Sequence, residues 1–93
     1  MFDLTDKVAI VTGGAGALGS AMSEGLAKAG VKVAILSRTT EKVETQVKKM
    51  ENAGYQALAL VSDVLEKEQL EAAKDKILAY WGKIDILINC AGG

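Results

Sequence analysis

Four short apolar runs alternate along the chain with longer segments in which apolar residues recur at helical spacing. The runs cover residues 8–12, 32–36, 56–61 and 84–89. They are apolar almost throughout instead of at every second position, a pattern typical of parallel strands that are covered on both faces. We therefore predict four buried β-strands.

Three helices are predicted between these strands, at residues 17–29, 40–53 and 66–80, and each ends at a glycine. The residues expected on their buried faces are Leu18, Met22, Gly25, Leu26 and Ala29, then Val43, Val47 and Met50, then Leu70, Ala73, Ile77 and Tyr80. The small residues Ala21 and Gly25 would let the first helix lie close to the sheet. Since parallel strands need long crossovers, the order β-α-β-α-β-α-β predicts an α/β fold with a parallel sheet.

Composition and charge narrow the choice of partners. The 93 residues are enough for one small domain. A net charge of −1, from 11 basic and 12 acidic residues, gives no electrostatic basis for binding nucleic acid or an anionic membrane. The start of the chain lacks the pattern of a signal peptide, and no apolar run is long enough to span a membrane. We expect a cytoplasmic protein.

Cysteine and histidine usage excludes two further kinds of site. The chain has one cysteine, Cys90, and no histidine, so neither an internal disulfide nor a Cys/His zinc site can form. No metal site is predicted. Cys90 has no base near it in the sequence, and we expect a buried, unreactive thiol.

A glycine-rich segment follows the first predicted strand. Gly14, Gly16 and Gly19 form G-x-G-x-x-G between a strand and a helix. Glycines permit a tight turn and let a pyrophosphate approach the backbone, and the N-terminus of the following helix favours an anion. This pattern predicts a dinucleotide-binding loop and the sheet order 3-2-1-4, with the first two helices on one face and the third on the other. A Walker A loop is excluded because no Lys-Ser/Thr follows Gly19, whereas a methyltransferase loop remains an alternative.

Longer motifs resemble those of the short-chain dehydrogenase/reductase family. Residues 12–19 are similar to T-G-x-x-x-G-x-G, with Ala17 where the family usually has glycine, and residues 81–88 are similar to the family's approach to its fourth strand. Asp63-Val64 resembles an acid–aliphatic pair that contacts adenine, and Asn89-Cys90-Ala91-Gly92 resembles Asn-Asn-Ala-Gly. The resemblance covers the whole chain. Its first and last residues are also similar to a subgroup of mannonate (fructuronate) oxidoreductases.

The resemblance implies an incomplete Rossmann-type fold and an oxidoreductase. Such an enzyme transfers a hydride between a nicotinamide cofactor and an alcohol or carbonyl substrate, here with a sugar acid as the candidate. The family's catalytic Ser, Tyr-x-x-x-Lys and Asn would follow residue 93, because Tyr55 and Tyr80 are followed four residues later by Ala59 and Ile84. We expect residues 1–93 to be the N-terminal half of a dinucleotide-binding domain, inactive alone. A non-catalytic nucleotide-binding module or an inert truncated product is the alternative.

The resemblance also implies a set of cofactor contacts. They are Gly13, Ala15, Gly16, Leu18, Ser37, Arg38, Asp63, Val64, Asn89, Ala91 and Gly92. Asp63 would accept a hydrogen bond from the adenine amino group, and the Asn89 amide would tie strand ends together. The end of the second strand offers Ser37 and Arg38 instead of the carboxylate that binds the ribose of NAD. Because a guanidinium can pair with a 2′-phosphate, these residues favour NADP over NAD.

The fourth predicted strand has an interior sequence but an edge position. In the order 3-2-1-4 it has one neighbour, although residues 84–89 are largely apolar. An unpaired apolar edge invites pairing with another chain. We therefore expect residues 1–93, when expressed alone, to self-associate through this edge or through the uncovered face of the sheet, and the complete protein to be a homo-oligomer.

Overall fold

The computed structural model describes residues 4–13, 17–38, 40–61 and 66–90. In chain order the elements are β1 (Val8–Thr12), α1 (Ala17–Lys28), β2 (Lys32–Ser37), α2 (Thr40–Asn52), β3 (Ala57–Val61), α3 (Lys67–Trp81) and β4 (Ile86–Asn89). Their bounds agree with the predicted ones to within two residues. None of these helices is long and apolar enough to cross a membrane.

The strands form a single sheet in the order β3-β2-β1-β4, which confirms the predicted order. β1 lies between β2 and β4, with Ala9 opposite both Val33 and Ile86. β2 pairs with β3 on its other side, where Val33 is opposite Ala57. All of these pairings are parallel, so the carboxyl ends of the four strands meet at one edge of the sheet.

Helices cover the two faces of the sheet as predicted. α1 and α2 pack on one face, where the buried residues are Ala9, Val11, Ala27, Val31, Val33, Ile35, Val43, Val47, Met50 and Cys90. α3 packs on the other face, where the buried residues are Val8, Ile10, Ala34, Leu36, Ala73 and Ile77. Successive residues of β1 and β2 therefore alternate between two apolar clusters, which is why residues 8–11 and 33–36 are apolar at every position.

The buried face of α1 differs from the predicted one. Four of the residues to which the prediction gave a role in this packing are exposed, namely Ala21, Met22, Gly25 and Ala29. The buried residues of α1 include Gly19, Ser23 and Ala27. Ser23 is tolerated there because its hydroxyl donates a 2.7 Å hydrogen bond to the carbonyl oxygen of Gly19. The prediction that Met22, Gly25 and Ala29 face the sheet is therefore wrong, as is the role assigned to Ala21 and Gly25. Leu26 is half-buried against the α1–α2 cluster, as expected.

The last turn of α3 differs from the prediction by one residue. Ala73 and Ile77 are buried as predicted, but Tyr80 is 68% exposed. Its neighbour Trp81 packs instead against the α3 cluster, and the two rings meet edge to face with centroids 5.5 Å apart. The helix continues to Trp81, so the residue that reaches the sheet after Ile77 lies four positions later, not three.

Two glycines near the end of α1 provide a matched test of this packing. Gly30 has a φ of +94°, and a Cβ there would lie 3.1 Å from the Cα of Thr5, whereas a Cβ on Gly25 would meet nothing within 4 Å. We expect Gly30→Ala to lower the free energy of unfolding by about 1–3 kcal/mol, because alanine must adopt a left-handed backbone. Gly25→Ala should raise it by about 0.5–1 kcal/mol, since glycine is unfavourable inside a helix. Urea denaturation measures both, and equal effects would contradict the assigned positions.

Candidate functional site

The described residues of the predicted site gather at the carboxyl-end edge of the sheet. Thr12 ends β1 opposite Leu36 of β2 and Asn89 of β4. Ser37 ends β2 opposite Val61 of β3. In open parallel sheets, ligands bind beyond the carboxyl ends of the strands, where the strand order reverses. In this sheet that point lies between β1 and β4.

Gly13 turns the chain away from the end of β1. Its φ is +69°, a left-handed value that glycine adopts without strain. Its N–H donates a 2.8 Å hydrogen bond to the carbonyl oxygen of Leu36. That N–H is therefore used within the sheet and is not a donor for a ligand. Gly13 contributes the direction of the chain, which leads to the start of α1 at Ala17.

The N-terminus of α1 follows this turn at the same edge of the sheet. The first N–H groups of a helix have no partner within it, and the helix dipole adds positive potential there. A helix that begins just beyond the end of a parallel strand is thus suited to an anionic group such as a pyrophosphate. The glycine pattern and the position of α1 therefore both indicate a binding site for an anionic group at the carboxyl ends of the strands.

A pair of hydrogen-bonded side chains joins β1 to β4 at the edge. The Thr12 hydroxyl donates to Asn89 Oδ1 over 2.7 Å, and the Cys90 N–H donates to the carbonyl oxygen of Thr12 over 3.0 Å. The prediction that the Asn89 amide ties strand ends together is confirmed, and Cys90 is buried as predicted. The sequence prediction gave Thr12 no contact of its own. The sequence signal for a role of Thr12 was its position directly before the first glycine of the loop. A residue in that position lies next to both the loop and the neighbouring strand.

β2 brings Ser37 and Arg38 to the same edge. Ser37 is its last residue and is half-buried, and Arg38 follows it and is exposed. The guanidinium of arginine is positively charged and presents a planar set of donors. The end of β2 therefore carries a fixed positive charge that can pair with a phosphate.

Several predicted site residues lie outside the described part of the chain. They are Ala15, Gly16, Asp63, Val64, Ala91 and Gly92, together with the side chain of Leu18. They belong to segments that follow β1, β3 and β4 in the sequence. Their roles as cofactor contacts stay predictions.

A small cavity lies between α3 and the carboxyl end of β3. Its volume is about 110 Å³, and it is lined by Leu60, Val61, Gln69, Ala72, Ala73 and Lys76. Pockets for drug-sized ligands usually measure about 300–1,000 Å³. The cavity alone is too small to hold a dinucleotide.

Comparisons with known proteins agree with this geometry. The sequence model of the short chain dehydrogenases matches residues 7–93. An uncharacterised oxidoreductase of Bacillus subtilis (strain 168), UxuB, is 50% identical over 91 residues, which are 98% of this chain and 33% of that protein.

Solved structures with bound cofactors have the same fold. A proposed D-mannonate oxidoreductase from Haemophilus influenza with bound NAD has a TM-score of 0.92 and 34% identity, covering 98% of this chain and 32% of that one. A variant of the actinorhodin polyketide ketoreductase with NADPH has a TM-score of 0.89 and 31% identity, covering 94% of this chain and 33% of that one. The chain thus spans about a third of the length of these relatives. With the parallel sheet and the turn after β1, these matches show that the chain belongs to the short-chain dehydrogenase family.

Proposed function

We propose that residues 1–93 form the N-terminal, dinucleotide-binding half of an NAD(P)-dependent oxidoreductase. The observation that carries the proposal is the arrangement at the end of β1. There, the left-handed Gly13, the start of α1 and the Thr12–Asn89 contact lie at one edge of a parallel sheet. Relatives of the same fold hold NAD and NADPH.

The residues of this edge fit a nicotinamide dinucleotide. The turn at Gly13 and the N-terminus of α1 would receive the pyrophosphate, together with the backbone of Ala15 and Gly16 and the side chain of Leu18. Ser37 and Arg38 would lie at the adenosine ribose, and Asp63 and Val64 at the adenine. Asn89, Ala91 and Gly92 would line the approach to the second ribose.

The chemistry would be divided between the cofactor and residues beyond this chain. A bound nicotinamide supplies or accepts the hydride. The described residues bind and orient, and none of them is assigned a catalytic role. The family resemblance implies a Ser, a Tyr-x-x-x-Lys pair and an Asn after residue 93, which would make residues 1–93 inactive alone. A sugar acid is the proposed substrate, supported by the relative described as a D-mannonate oxidoreductase.

The coding sequence that follows codon 93 tests the proposal most directly. A Tyr-x-x-x-Lys within the next several dozen codons supports an oxidoreductase, and absorbance of the reduced nicotinamide then reports turnover of sugar acids against simple alcohols. A stop codon directly after Gly93 contradicts the enzyme. It would favour the alternative, a non-catalytic nucleotide-binding module or an inert truncated product.

Gly13 should be essential for dinucleotide binding. We expect Gly13→Val to abolish binding, because a β-branched residue is strained at a φ of +69° and would redirect the chain that leads to α1. The matched control is Gly54→Val, which carries similar strain at a φ of +90°. Gly54 lies before β3, at the amino ends of the strands and away from the proposed site. Fluorescence titration with NADH and NADPH measures the affinities. Equal losses in the two variants would show that Gly13 has no special place in the site.

Arg38 should determine which cofactor is preferred. We expect Arg38→Asp to weaken NADPH binding by about tenfold or more while sparing NADH, since it replaces a charged hydrogen-bond donor by a charge that repels the 2′-phosphate. Lys48→Asp, an exposed site within α2, makes the same change in net charge and should leave the ratio of the two affinities unaltered. An unchanged ratio in Arg38→Asp would refute the proposed preference for NADP.

The free edge of β4 should mediate self-association of residues 1–93. Leu87 of this strand is 59% exposed, and a lysine on an edge strand opposes pairing with another chain. We expect sedimentation velocity to show oligomers of residues 1–93 that Leu87→Lys converts to monomers. Tyr80→Lys, at a residue of α3 that is 68% exposed, should leave the oligomers intact. A monomeric parent chain at high concentration, or dissociation by Tyr80→Lys alone, would contradict pairing through the edge. A homo-oligomer of the complete protein is proposed to use other surfaces.

A further inference from the structure

The apolar pattern of β4 does not by itself define how the strand aligns with β1. Isoleucine recurs at every second position, as Ile84, Ile86 and Ile88, and Ile86, Ile88 and the following Cys90 pack in the α1–α2 cluster. If β4 moved by two residues, Ile84, Ile86 and Ile88 could take those three places. The face of the strand toward α1 would then still present apolar side chains to the same cluster.

The opposite face of β4 discriminates weakly between these alignments. Leu87 lies opposite Ile10 but remains 59% exposed, so little apolar burial is lost when another residue takes its place. Ile84 favours the observed alignment, because it packs partly buried against the α3 cluster. Ile84 contributes the burial of only one half-buried side chain, which lies before the start of β4. Apolar burial therefore leaves alignments two residues apart close in free energy.

A side-chain contact just before β4 is specific for the observed alignment. The backbone N–H of Asp85 donates to the carbonyl oxygen of Val8 over 2.8 Å. In return, the N–H of Val8 donates to Asp85 Oδ2 over 2.9 Å. Asp85 thus bonds to both backbone groups of one residue of β1. The hydrogen bond from the Val8 N–H to the carboxylate is the main reason why the pKa of Asp85 lies below its ordinary value. The ion pair with Lys83 lowers this pKa further.

A second polar contact lies at the other end of the strand. Thr12 and Asn89 are opposite each other and are joined by the 2.7 Å hydrogen bond between their side chains. After a two-residue shift, Asp85 would lie opposite Ile10 and Leu87 opposite Thr12, and both polar contacts would be lost together. We propose that Asp85 is a positioning residue which, with the Thr12–Asn89 pair, selects the register of β4 and so sets where Asn89 stands at the cofactor edge.

The consequence for the site rests on the proposed function. A shift of two residues moves a strand by about 7 Å, which would carry Asn89 away from the end of β1. Asp85 lies at the amino ends of the strands, whereas the proposed cofactor lies at their carboxyl ends. Its effect on binding would therefore be transmitted along the four residues of β4 and not through any contact with the ligand.

Amide hydrogen exchange at the far end of β4 provides the test. The Cys90 N–H bonds to Thr12 of β1, whereas the Gly13 N–H at the same edge bonds to Leu36 of β2, so one reports the alignment of β4 and the other does not. We expect Asp85→Ala to speed exchange at Cys90 by about tenfold relative to Gly13. Asp85→Asn keeps a side-chain oxygen that can accept from Val8, and it should restore most of the protection. Asp75→Ala, at an exposed aspartate of α3, should change neither amide.

A double variant separates selection of the register from simple stabilisation. Asp85 and Thr12 are held apart by the length of β1, about 13 Å at 3.3 Å per residue, and sites so far apart normally have additive effects. If both select the register, Asp85→Ala combined with Thr12→Val should accelerate Cys90 exchange by more than the product of the two single effects. Nuclear Overhauser contacts should then join Ala9 to Ile84 in addition to Ile86. Should the double variant fail to fold, the single variants decide the matter through the ratio of Cys90 to Gly13 exchange.

The outcomes distinguish this proposal from the proposed function. An unchanged Cys90-to-Gly13 ratio in Asp85→Ala, or strict additivity with native contacts in the double variant, overturns the role of Asp85. If the register responds as expected, NADH titration of Asp85→Ala should show weaker binding that Asp85→Asn recovers. A shifted register with unaltered NADH affinity would overturn the link from Asp85 to the cofactor edge. Failure of the parent protein to bind either dinucleotide would instead refute the proposed function and leave the choice of register supported.

Discussion

The parallel pairing of β1 with strands on both sides is the constraint on which the other parts of this structure depend. The apolar residues Val8, Ala9, Ile10 and Val11 have no exposed surface, and they contribute in alternation to both apolar clusters. Because β1 is fixed from both faces and both edges, the point at which it ends is also fixed. Gly13, the start of α1 and the Thr12–Asn89 contact all take their positions from that point, so the candidate site inherits its geometry from the most buried strand of the sheet.

The sheet could be predicted from the sequence because each strand carries its own local signal. Runs such as residues 8–11 are apolar throughout and are followed by glycines or helical periodicity, so the strands could be identified without knowledge of distant contacts. Their order was predicted from the glycine motif. α1 was harder, since its buried face is made of Gly19, Ser23 and Ala27, which have little hydrophobicity. The larger Met22 dominates the pattern but is 39% exposed. A small-residue face lets a helix lie close to a sheet, and such a face is nearly invisible to a pattern based on large apolar residues.

The candidate site was predicted in position but not in its bonding. The glycine pattern locates the turn after β1, yet it cannot reveal that the Gly13 N–H is taken by Leu36 of β2, because that bond depends on how two strands align. The resemblance assigned Asn89 to the site, whereas its hydrogen bond with Thr12 became evident only from the pairing of β1 with β4. Contacts between residues 77 positions apart in the sequence are a property of the sheet, and no local pattern contains them.

β1 and β4 differ in how firmly their positions are held, and this difference matters for the site. Among the described strands β4 pairs only with β1, and its residues alternate between half-buried and exposed instead of being buried throughout. Its alignment therefore relies more on polar contacts at its two ends than that of any interior strand. The strand that brings Asn89 to the candidate site is thus less firmly held than β1. Any chain that paired with the free edge of β4 would bury Leu87 and also reduce the freedom of Asn89, so completion of the sheet and precision of the site are physically linked.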